Sequence, residues 1–191
     1  MLKVILIGDS IRMGYEPLVR EKLAGRAEVW GPEENGGDST NVLAHLDEWA
    51  LDRAADVIHF NCGLHDLKVL PDGAHQVALE EYARNLKEIV ERLTSETDAR
   101  LIWATSTPVV DDRHQARKGC DFQRFAKDVE TYNRQALQIV NAAGIRVNDL
   151  HGVVERAGIE SCVGPDGVHM TAKGYRILAE TVASILPTRG V

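Results

Sequence analysis

Three residues that can together cleave an acyl bond stand near opposite ends of the chain. Ser10 follows the apolar run of residues 4–7 and then Gly-Asp, while Asp166 and His169 lie three residues apart in the segment GPDGVH (164–169). A serine hydroxyl is a weak nucleophile, so it needs a base that accepts its proton and a group that orients the base. At this spacing the Asp166 carboxylate can reach one imidazole nitrogen of His169, which leaves the other nitrogen for Ser10.

Each of these residues also has an ordinary structural interpretation. Ser10 can cap the helix that follows the first strand. Asp166 and His169 can belong to an Asx-type turn that carries a surface histidine. The chemical interpretation therefore requires a fold that brings the two ends of the chain to one place.

An acyl-transfer site also needs hydrogen-bond donors for the oxyanion. The backbone amides of Ser10 and of the turn formed by Asn35, Gly36 and Gly37 are candidates, and the sequence leaves open which member of that turn donates. The segment GLHD (63–66) offers a side-chain donor in His65.

Apolar runs alternate with stretches of helical periodicity along the whole chain, which predicts a three-layer α/β fold with a mostly parallel sheet. Ligands of such folds bind at the carboxyl ends of the strands, where the candidate residues lie. The polar stretch 111–121 is predicted to be an exposed loop or lid. The predicted strands cover residues 2–7, 27–30, 56–61, 101–106 and 145–148, and the predicted helices cover 16–23, 41–51, 74–95, 125–142 and 172–186.

Length and charge narrow the class of protein. The 191 residues suit one domain, and the formal net charge of −7 without a basic block argues against nucleic acid or an anionic membrane as the main partner. No apolar run approaches the ~20 residues of a membrane span. The first residues make a poor signal peptide, so we expect a cytoplasmic protein, or a secreted or periplasmic one if a leader was removed. The oligomeric state stays open.

Four blocks of the sequence resemble, in order and position, those of the SGNH (GDSL-like) hydrolase family. They are GDS (8–10), the glycine turn after the second strand, GLHD (63–66) and DGVH (166–169). The resemblance implies one flavodoxin-like α/β/α domain over residues 1–191, with a mostly parallel five-stranded sheet. It implies an esterase with Ser10 as nucleophile, His169 as base and Asp166 as its orienter. It also implies a small-molecule ester substrate and neither a metal nor an organic cofactor.

Two blocks depart from the family pattern. The third block of the family ends Gly-x-Asn-Asp, and its asparagine donates to the oxyanion, whereas this chain has His65. A neutral imidazole donates one hydrogen bond and a protonated one donates with charge assistance, so we expect the oxyanion hole to depend on pH. Asn61 is a second possible amide donor. The second block matches the family's Ser-Gly-x-x-Ser turn only loosely, at residues 37–40.

Several other polar residues have a functional and a structural interpretation. Arg12 and Asn61 are candidate substrate contacts, although packing at the helix start and a surface salt bridge are the alternative for Arg12. His114 and the basic residues around it in the charged stretch could cover the site or belong to a solvated loop. A zinc site can be imagined from Cys120, Cys162, His114 and His151, but these residues lack the close pairing of metal ligands.

Composition favours a short-chain ester as substrate. Only 5% of the residues are aromatic and the predicted lid is polar, so a long acyl chain has no obvious place to bind, whereas an acetyl group on a sugar fits. The alternative is a catalytically weak or inactive binding protein on the same scaffold, because His65 replaces the oxyanion asparagine. A nucleotide or phosphate binder is a third possibility, but the chain lacks a phosphate-cradling loop such as the P-loop.

Overall fold

A five-stranded sheet forms the centre of the molecule, and the computed structural model describes residues 1–186. Every pair of neighbouring strands is parallel. Counted along the chain, the strands lie side by side in the order second, first, third, fourth, fifth. The fold is a three-layer α/β/α sandwich, which confirms the sequence prediction. The strands are β1 Leu2–Ile7, β2 Ala27–Trp30, β3 Val57–Phe60, β4 Arg100–Ala104 and β5 Arg146–Asn148.

The α-helices of the described residues connect and flank these strands, and a single π-helical turn covers Asp47–Leu51. Helices α3 and α5 carry long apolar stripes that pack against the sheet. The α-helices are α1 Ser10–Lys22, α2 Ser39–Ala44, α3 Leu79–Glu96, α4 Asp111–Gln115, α5 Ala126–Ala142, α6 Leu150–Ala157, α7 Ile159–Cys162 and α8 Ala172–Ile185.

Several helix boundaries differ from the sequence prediction. Helix α1 begins at Ser10 rather than at residue 16, because the Asp9 side chain accepts a hydrogen bond from the amide of Ile11 and caps the helix. Pro17 lies inside this helix, so the predicted start at residue 16 is wrong. Helix α3 begins at Leu79 rather than at residue 74. Helices α6 and α7 were not predicted, because each is too short for a clear apolar period.

The carboxyl ends of β1, β3 and β4 meet at one edge of the sheet. Strand β1 lies between β2 and β3 in register, with Ile7 opposite Phe60, and Phe60 is in turn opposite Trp103 of β4. Residues 4–7 are at most 3% exposed, because helices cover both faces of this strand. The loops that leave β1 and β3 are therefore neighbours although about 50 residues of chain separate them.

The contact between α1 and α8 brings the two ends of the chain together. An added Cβ at Gly14 of α1 would lie 2.2 Å from Cε1 of Tyr175, so only glycine lets the tyrosine ring of α8 pack against the α1 backbone. Ser10 begins α1, and His169 stands just before α8. The close approach of the two helices therefore places the serine and the histidine side by side.

None of the helices within residues 1–186 has the length and apolar character needed to cross a bilayer.

Candidate active site

Ser10 is held at the first position of α1, immediately after the carboxyl end of β1. The capping bond from the amide of Ile11 to Asp9 fixes the turn that presents the serine, and the Asp9 side chain is only 2% exposed. The backbone amide of Ser10 is among the first amides of the helix, which have no intrahelical acceptor. The half-buried hydroxyl thus lies at the positive end of the helix dipole.

The turn before α8 orients His169 through three bonds to one carboxylate. Oδ1 of Asp166 accepts hydrogen bonds from the amides of Val168, at 3.0 Å, and His169, at 2.9 Å. Oδ2 accepts from Nδ1 of His169 at 2.5 Å. Nε2 of the same ring lies 2.9 Å from Oγ of Ser10, although 159 positions separate the two residues in sequence.

The electrostatics of this turn keep the Asp166 carboxylate charged. Partial burial raises the pKa of Asp166, but the hydrogen bonds from the His169 side chain and from the amides of Val168 and His169 outweigh it, so the pKa lies below its ordinary value. A charged carboxylate at Nδ1 holds the proton of a neutral imidazole on that nitrogen. Nε2 is then the acceptor that faces the Ser10 hydroxyl.

The turn after β2 lies against the Gly8 backbone. The amides of Gly36 and Gly37 in this turn both donate hydrogen bonds within the protein. The amide of Gly36 donates to the carbonyl of Gly8 at 3.0 Å, and a Cβ at Gly36 would come within 2.7 Å of that oxygen. Gly36 is therefore not available as an oxyanion donor, which corrects one of the three candidates. The amide of Gly37 donates to Oδ1 of the exposed Asn35 at 2.9 Å, a bond within an Asx turn.

Asp66 connects the loop after β3 to the segment that follows β2, a role that the sequence analysis did not predict. Both of its carboxylate oxygens accept from the amide of Ser39, at 2.9 and 3.1 Å. Burial raises the pKa of Asp66 to about 6, against the opposing effect of the hydrogen bonds from Ser39. The sequence did point to Asp66 as a residue of interest, because it is the last residue of the GLHD block. Its partner at Ser39 depends on tertiary structure.

The two candidate substrate contacts, Arg12 and Asn61, both have structural partners. Arg12 is 4% exposed, and its guanidinium donates to the carbonyls of Gly8 and Glu34 and pairs with Glu16. The Asn61 side-chain amide donates to the carbonyl of Ala104 at 2.6 Å and so ties β3 to β4. Both side chains donate to backbone oxygens at the sheet edge, which gives each of them a role in holding the fold.

The stretch predicted as an exposed loop or lid is partly a brace for the Asp166 turn. Its first residues form α4, whose preceding amide at Val110 donates to the carbonyl of Gly167. His114 is completely buried, and its Nδ1 lies 3.4 Å from the backbone oxygen of Asp166. Arg113 donates to the carbonyl of Val163. The exposed residues of this stretch are Asp112, residues 115–119 from the end of α4 onward, and Asp121.

The cysteines and histidines named above as conceivable zinc ligands do not form a cluster. Among residues 1–186 the structure contains no group of three or more histidine, cysteine or acidic side chains that could hold a metal ion. Cys62 and Cys162 are buried, and Cys120 is partly exposed.

The comparison with known families agrees with the four blocks. A model of the GDSL-like lipase/acylhydrolase family matches residues 6–177. The chain belongs to this family. It is accordingly a carboxylic ester hydrolase. The human isoamyl acetate-hydrolyzing esterase 1 homolog is 32% identical over 193 aligned residues, which cover 92% of this chain and 77% of the human protein.

Solved structures of GDSL-like enzymes share the fold at low sequence identity. A lipase/acylhydrolase from Enterococcus faecalis superimposes with a TM-score of 0.82 at 20% identity, over 100% of both chains. An acetylxylan esterase from Geobacillus stearothermophilus gives a TM-score of 0.75 at 19% identity, over 96% of this chain and 93% of that one. At this identity the two structures establish the architecture and leave the substrate of this chain open.

His65 occupies the place of the family's asparagine and is neutral. Burial, helped by the charges of Lys68 and Arg124, lowers the pKa of His65 to about 3. Neither ring nitrogen has a hydrogen-bond partner within residues 1–186, so the N–H of the neutral imidazole is free to donate. The expected pH dependence of this donor is therefore displaced to strongly acidic conditions, outside the working range of an esterase.

Replacing His65 with alanine is expected to lower kcat by about 10²- to 10³-fold, because one oxyanion donor is removed. His65→Asn, which restores the donor of the family, should recover most of the loss. Steady-state kinetics with p-nitrophenyl acetate between about pH 5 and pH 9 measure both effects, and the shape of the pH profile should not change, since His65 stays neutral there. A change in kcat smaller than about threefold for the alanine variant would assign His65 a purely structural role.

Proposed function

We propose that this acylhydrolase is a serine esterase that cleaves a short-chain ester, such as an acetyl ester of a carbohydrate or another small polar alcohol, through an acyl-enzyme. The observation that carries the proposal is the continuous chain of hydrogen bonds from Ser10 through His169 to Asp166, with distances of 2.9 and 2.5 Å. Such a chain supplies a nucleophile, its base and the group that orients the base.

In the first half of the reaction, Oγ of Ser10 forms a bond to the ester carbonyl carbon while Nε2 of His169 accepts the hydroxyl proton. The imidazolium that results is stabilised by the Asp166 carboxylate. Collapse of the tetrahedral intermediate breaks the bond to the alcohol oxygen, and the imidazolium returns its proton to the leaving alkoxide. Water then attacks the acyl-serine with His169 as base, which releases the acid and restores Ser10.

The charge that develops on the carbonyl oxygen faces three donors in this proposal. They are the amide of Ser10 at the start of α1, the amide of the turn at Gly37, and the neutral ring of His65. The helix dipole of α1 adds to them. Binding of the substrate would displace Oδ1 of Asn35 from the Gly37 amide, which an exposed side chain can leave at little cost.

A short acyl group is supported by the open surroundings of the serine. Within residues 1–186 no long apolar lid covers Ser10, since α4 is fixed to the Asp166 turn and the exposed residues 115–119 are mostly polar. The human relative is named for hydrolysis of isoamyl acetate, and a structural neighbour is an acetylxylan esterase. Both names describe acetyl esters, although their alcohols differ.

A panel of esters tests the proposal. We expect the highest kcat/KM for acetyl and propionyl p-nitrophenyl esters, with a decline for acyl chains of about six carbons or more, because no apolar lid within residues 1–186 covers the serine to bind them. Acetylated sugars serve as the second arm and report on the alcohol. Labelling by a fluorophosphonate probe, located by peptide mass spectrometry, should fall on Ser10. A folded sample that neither hydrolyses acetyl esters nor reacts with the probe would instead support the binding-protein alternative.

A further inference from the structure

Arg124 is a buried cation whose role is not explained by the catalytic residues. It stands between α4 and α5 and is 5% exposed. Of the five N–H groups of its guanidinium, only Nε has a partner within residues 1–186, the carbonyl of Leu64 at 2.7 Å. That carbonyl belongs to the residue directly before His65, so the guanidinium lies beside the loop that carries the side-chain donor of the oxyanion hole.

No acid in the described part of the chain forms an ion pair with Arg124, nor with its neighbour Lys68. Both cations rest on one aromatic ring: the ammonium of Lys68 lies 4.7 Å and the guanidinium carbon of Arg124 4.9 Å from the centroid of Phe122. Burying a charge without a counter-ion is unfavourable, so the buried Arg124, with the half-buried Lys68 on the same ring, indicates a function that needs the charge.

The charge of Arg124 reaches both halves of the active site. It lowers the pKa of His65, and it acts against the burial that raises the pKa of Asp9, the residue before the serine. Desolvation lowers the pKa of Arg124 itself to about 10, against the raising effect of Asp9 and Asp166, so the guanidinium stays protonated at neutral pH. It therefore presents a positive charge close to the reacting groups.

The nearby acids do not neutralise this charge. The carboxylate of Asp166 is bonded to His169 and to two backbone amides. Asp9 is buried, its Oδ1 accepts the amide of Ile11, and it forms no ion pair with Arg124. The exposed Arg117, on the segment after α4, lowers the pKa of Arg124 further, which shows that it adds positive potential in the same direction. A protein with a net charge of −7 thus has a local cationic region at its active site.

We propose that Arg124 and Lys68 form a subsite for a carboxylate of the substrate, so that the natural ester carries a negative charge near its scissile bond. The planar guanidinium has N–H groups without partners that can bind a carboxylate with charge assistance, and Lys68 adds a second donor. This inference deepens the proposed esterase function and rests on it, since it specifies the class of ester.

The surroundings leave room for such a substrate. The Phe122 ring also lines a groove of about 450 Å³, whose other walls include Leu70, Pro71 and Phe125, together with the exposed Asp121. This volume is within the range of small-molecule sites. This groove offers the uncharged part of a small ester a largely apolar wall next to the ring that both cations contact.

Two matched pairs of substrates test the subsite. The first pair, 4-acetoxybenzoate and 4-acetoxybenzamide, places the carboxylate or a neutral amide of the same shape on the alcohol. The second pair, phenyl hydrogen succinate and phenyl succinamate, places it on the acyl group, with spontaneous hydrolysis subtracted. In at least one pair the wild-type kcat/KM should favour the carboxylate by about 10-fold or more, the effect of one charge-assisted hydrogen bond. Salt at about 0.5 M should reduce that preference.

Variants of the two cations connect the preference to the subsite. Arg124→Gln should bring the ratio of carboxylate to amide close to one, and Lys68→Met should lower it by about threefold or more. Lys127→Met is the matched control: Lys127 also lies over an aromatic ring, that of Phe125, at 5.4 Å, but it is fully exposed on α5. This control should keep the wild-type ratio. If Arg124→Gln fails to fold, the substrate ratios of Lys68→Met and its control Lys127→Met still test the subsite. A comparison of inhibition by benzoate with inhibition by benzamide tests it as well.

Two results would overturn the subsite. One is a wild-type enzyme that hydrolyses the neutral esters but shows no preference in either pair. The other is an equal loss of kcat/KM for both members of a pair in Arg124→Gln, which would restrict Arg124 to support of the Leu64 carbonyl. A failure of the esterase proposal itself looks different, because then no member of either pair is hydrolysed by the wild type.

Discussion

Substitution of Ser10 by alanine is expected to lower kcat for p-nitrophenyl acetate by about 10⁴- to 10⁶-fold, because the acyl-enzyme can no longer form. What remains is the rate given by substrate binding and the oxyanion donors alone. The fold should be retained, since Asp9 rather than Ser10 caps α1 and the one hydrogen bond of the serine hydroxyl within residues 1–186 is to His169. Single-turnover kinetics measure the residual rate, and thermal unfolding by circular dichroism measures the fold.

The matched control for this substitution is Ser95→Ala, which removes an exposed hydroxyl from the end of α3, far from the sheet edge. It should leave kcat and the fluorophosphonate labelling unchanged. An alanine variant at position 10 that keeps wild-type turnover, with a normal melting curve, would refute the assignment of the nucleophile.

Asp166→Asn is expected to lower kcat by about 10⁴-fold near neutral pH with little change in stability. An asparagine has nearly the same shape, so it can still accept the amide bonds of Val168 and His169 through its oxygen. It cannot offer a negative charge to Nδ1 of His169. The imidazole then loses the preference for the tautomer that accepts the Ser10 proton, and the imidazolium of the intermediate loses its partner.

A second turn of the chain supplies the control for the asparagine substitution. Asp149 also accepts a backbone amide at a helix start, that of Gly152 at 3.0 Å, but it holds no histidine of the site. Asp149→Asn should therefore affect kcat by less than about twofold. A fall in melting temperature for Asp166→Asn together with an intact kcat per folded molecule would mean that Asp166 serves only the turn.

The losses of kcat caused by Ser10→Ala and by Asp166→Asn should not be additive. Because both residues act through His169, the double variant Ser10→Ala, Asp166→Asn is expected to be about as inactive as Ser10→Ala alone. Additive losses would indicate that the two residues act on separate steps, against the hydrogen-bonded chain of the proposal.

Much of the fold was predictable from local patterns. The apolar residues 4–7 predicted a strand buried on both faces, and the alternation of such runs with helical periods predicted the parallel sheet and the edge at which ligands bind. Boundaries were less predictable. Helix α1 begins earlier than its apolar period, because a capping bond at Asp9 decides its start.

The roles of single polar residues were harder to predict, because they depend on which partners the fold supplies. Arg12 looked available for a substrate until its bonds to Gly8, Glu16 and Glu34 were known. Arg124 was the opposite case. It belongs to no motif, yet burial without an acidic partner makes it the strongest candidate for substrate recognition.

The sequence by itself determined the chemistry that this protein can carry, since the types and order of Ser10, Asp166 and His169 are local properties of three short segments. Only the tertiary structure decided that they meet. The hydrogen bond between Ser10 and His169 spans 159 positions, and it forms because α8 packs on α1 at Gly14. The same packing of distant segments also sets the local electrostatics. It therefore decides that His65 is neutral and that Arg124 is charged and without an acidic partner beside it.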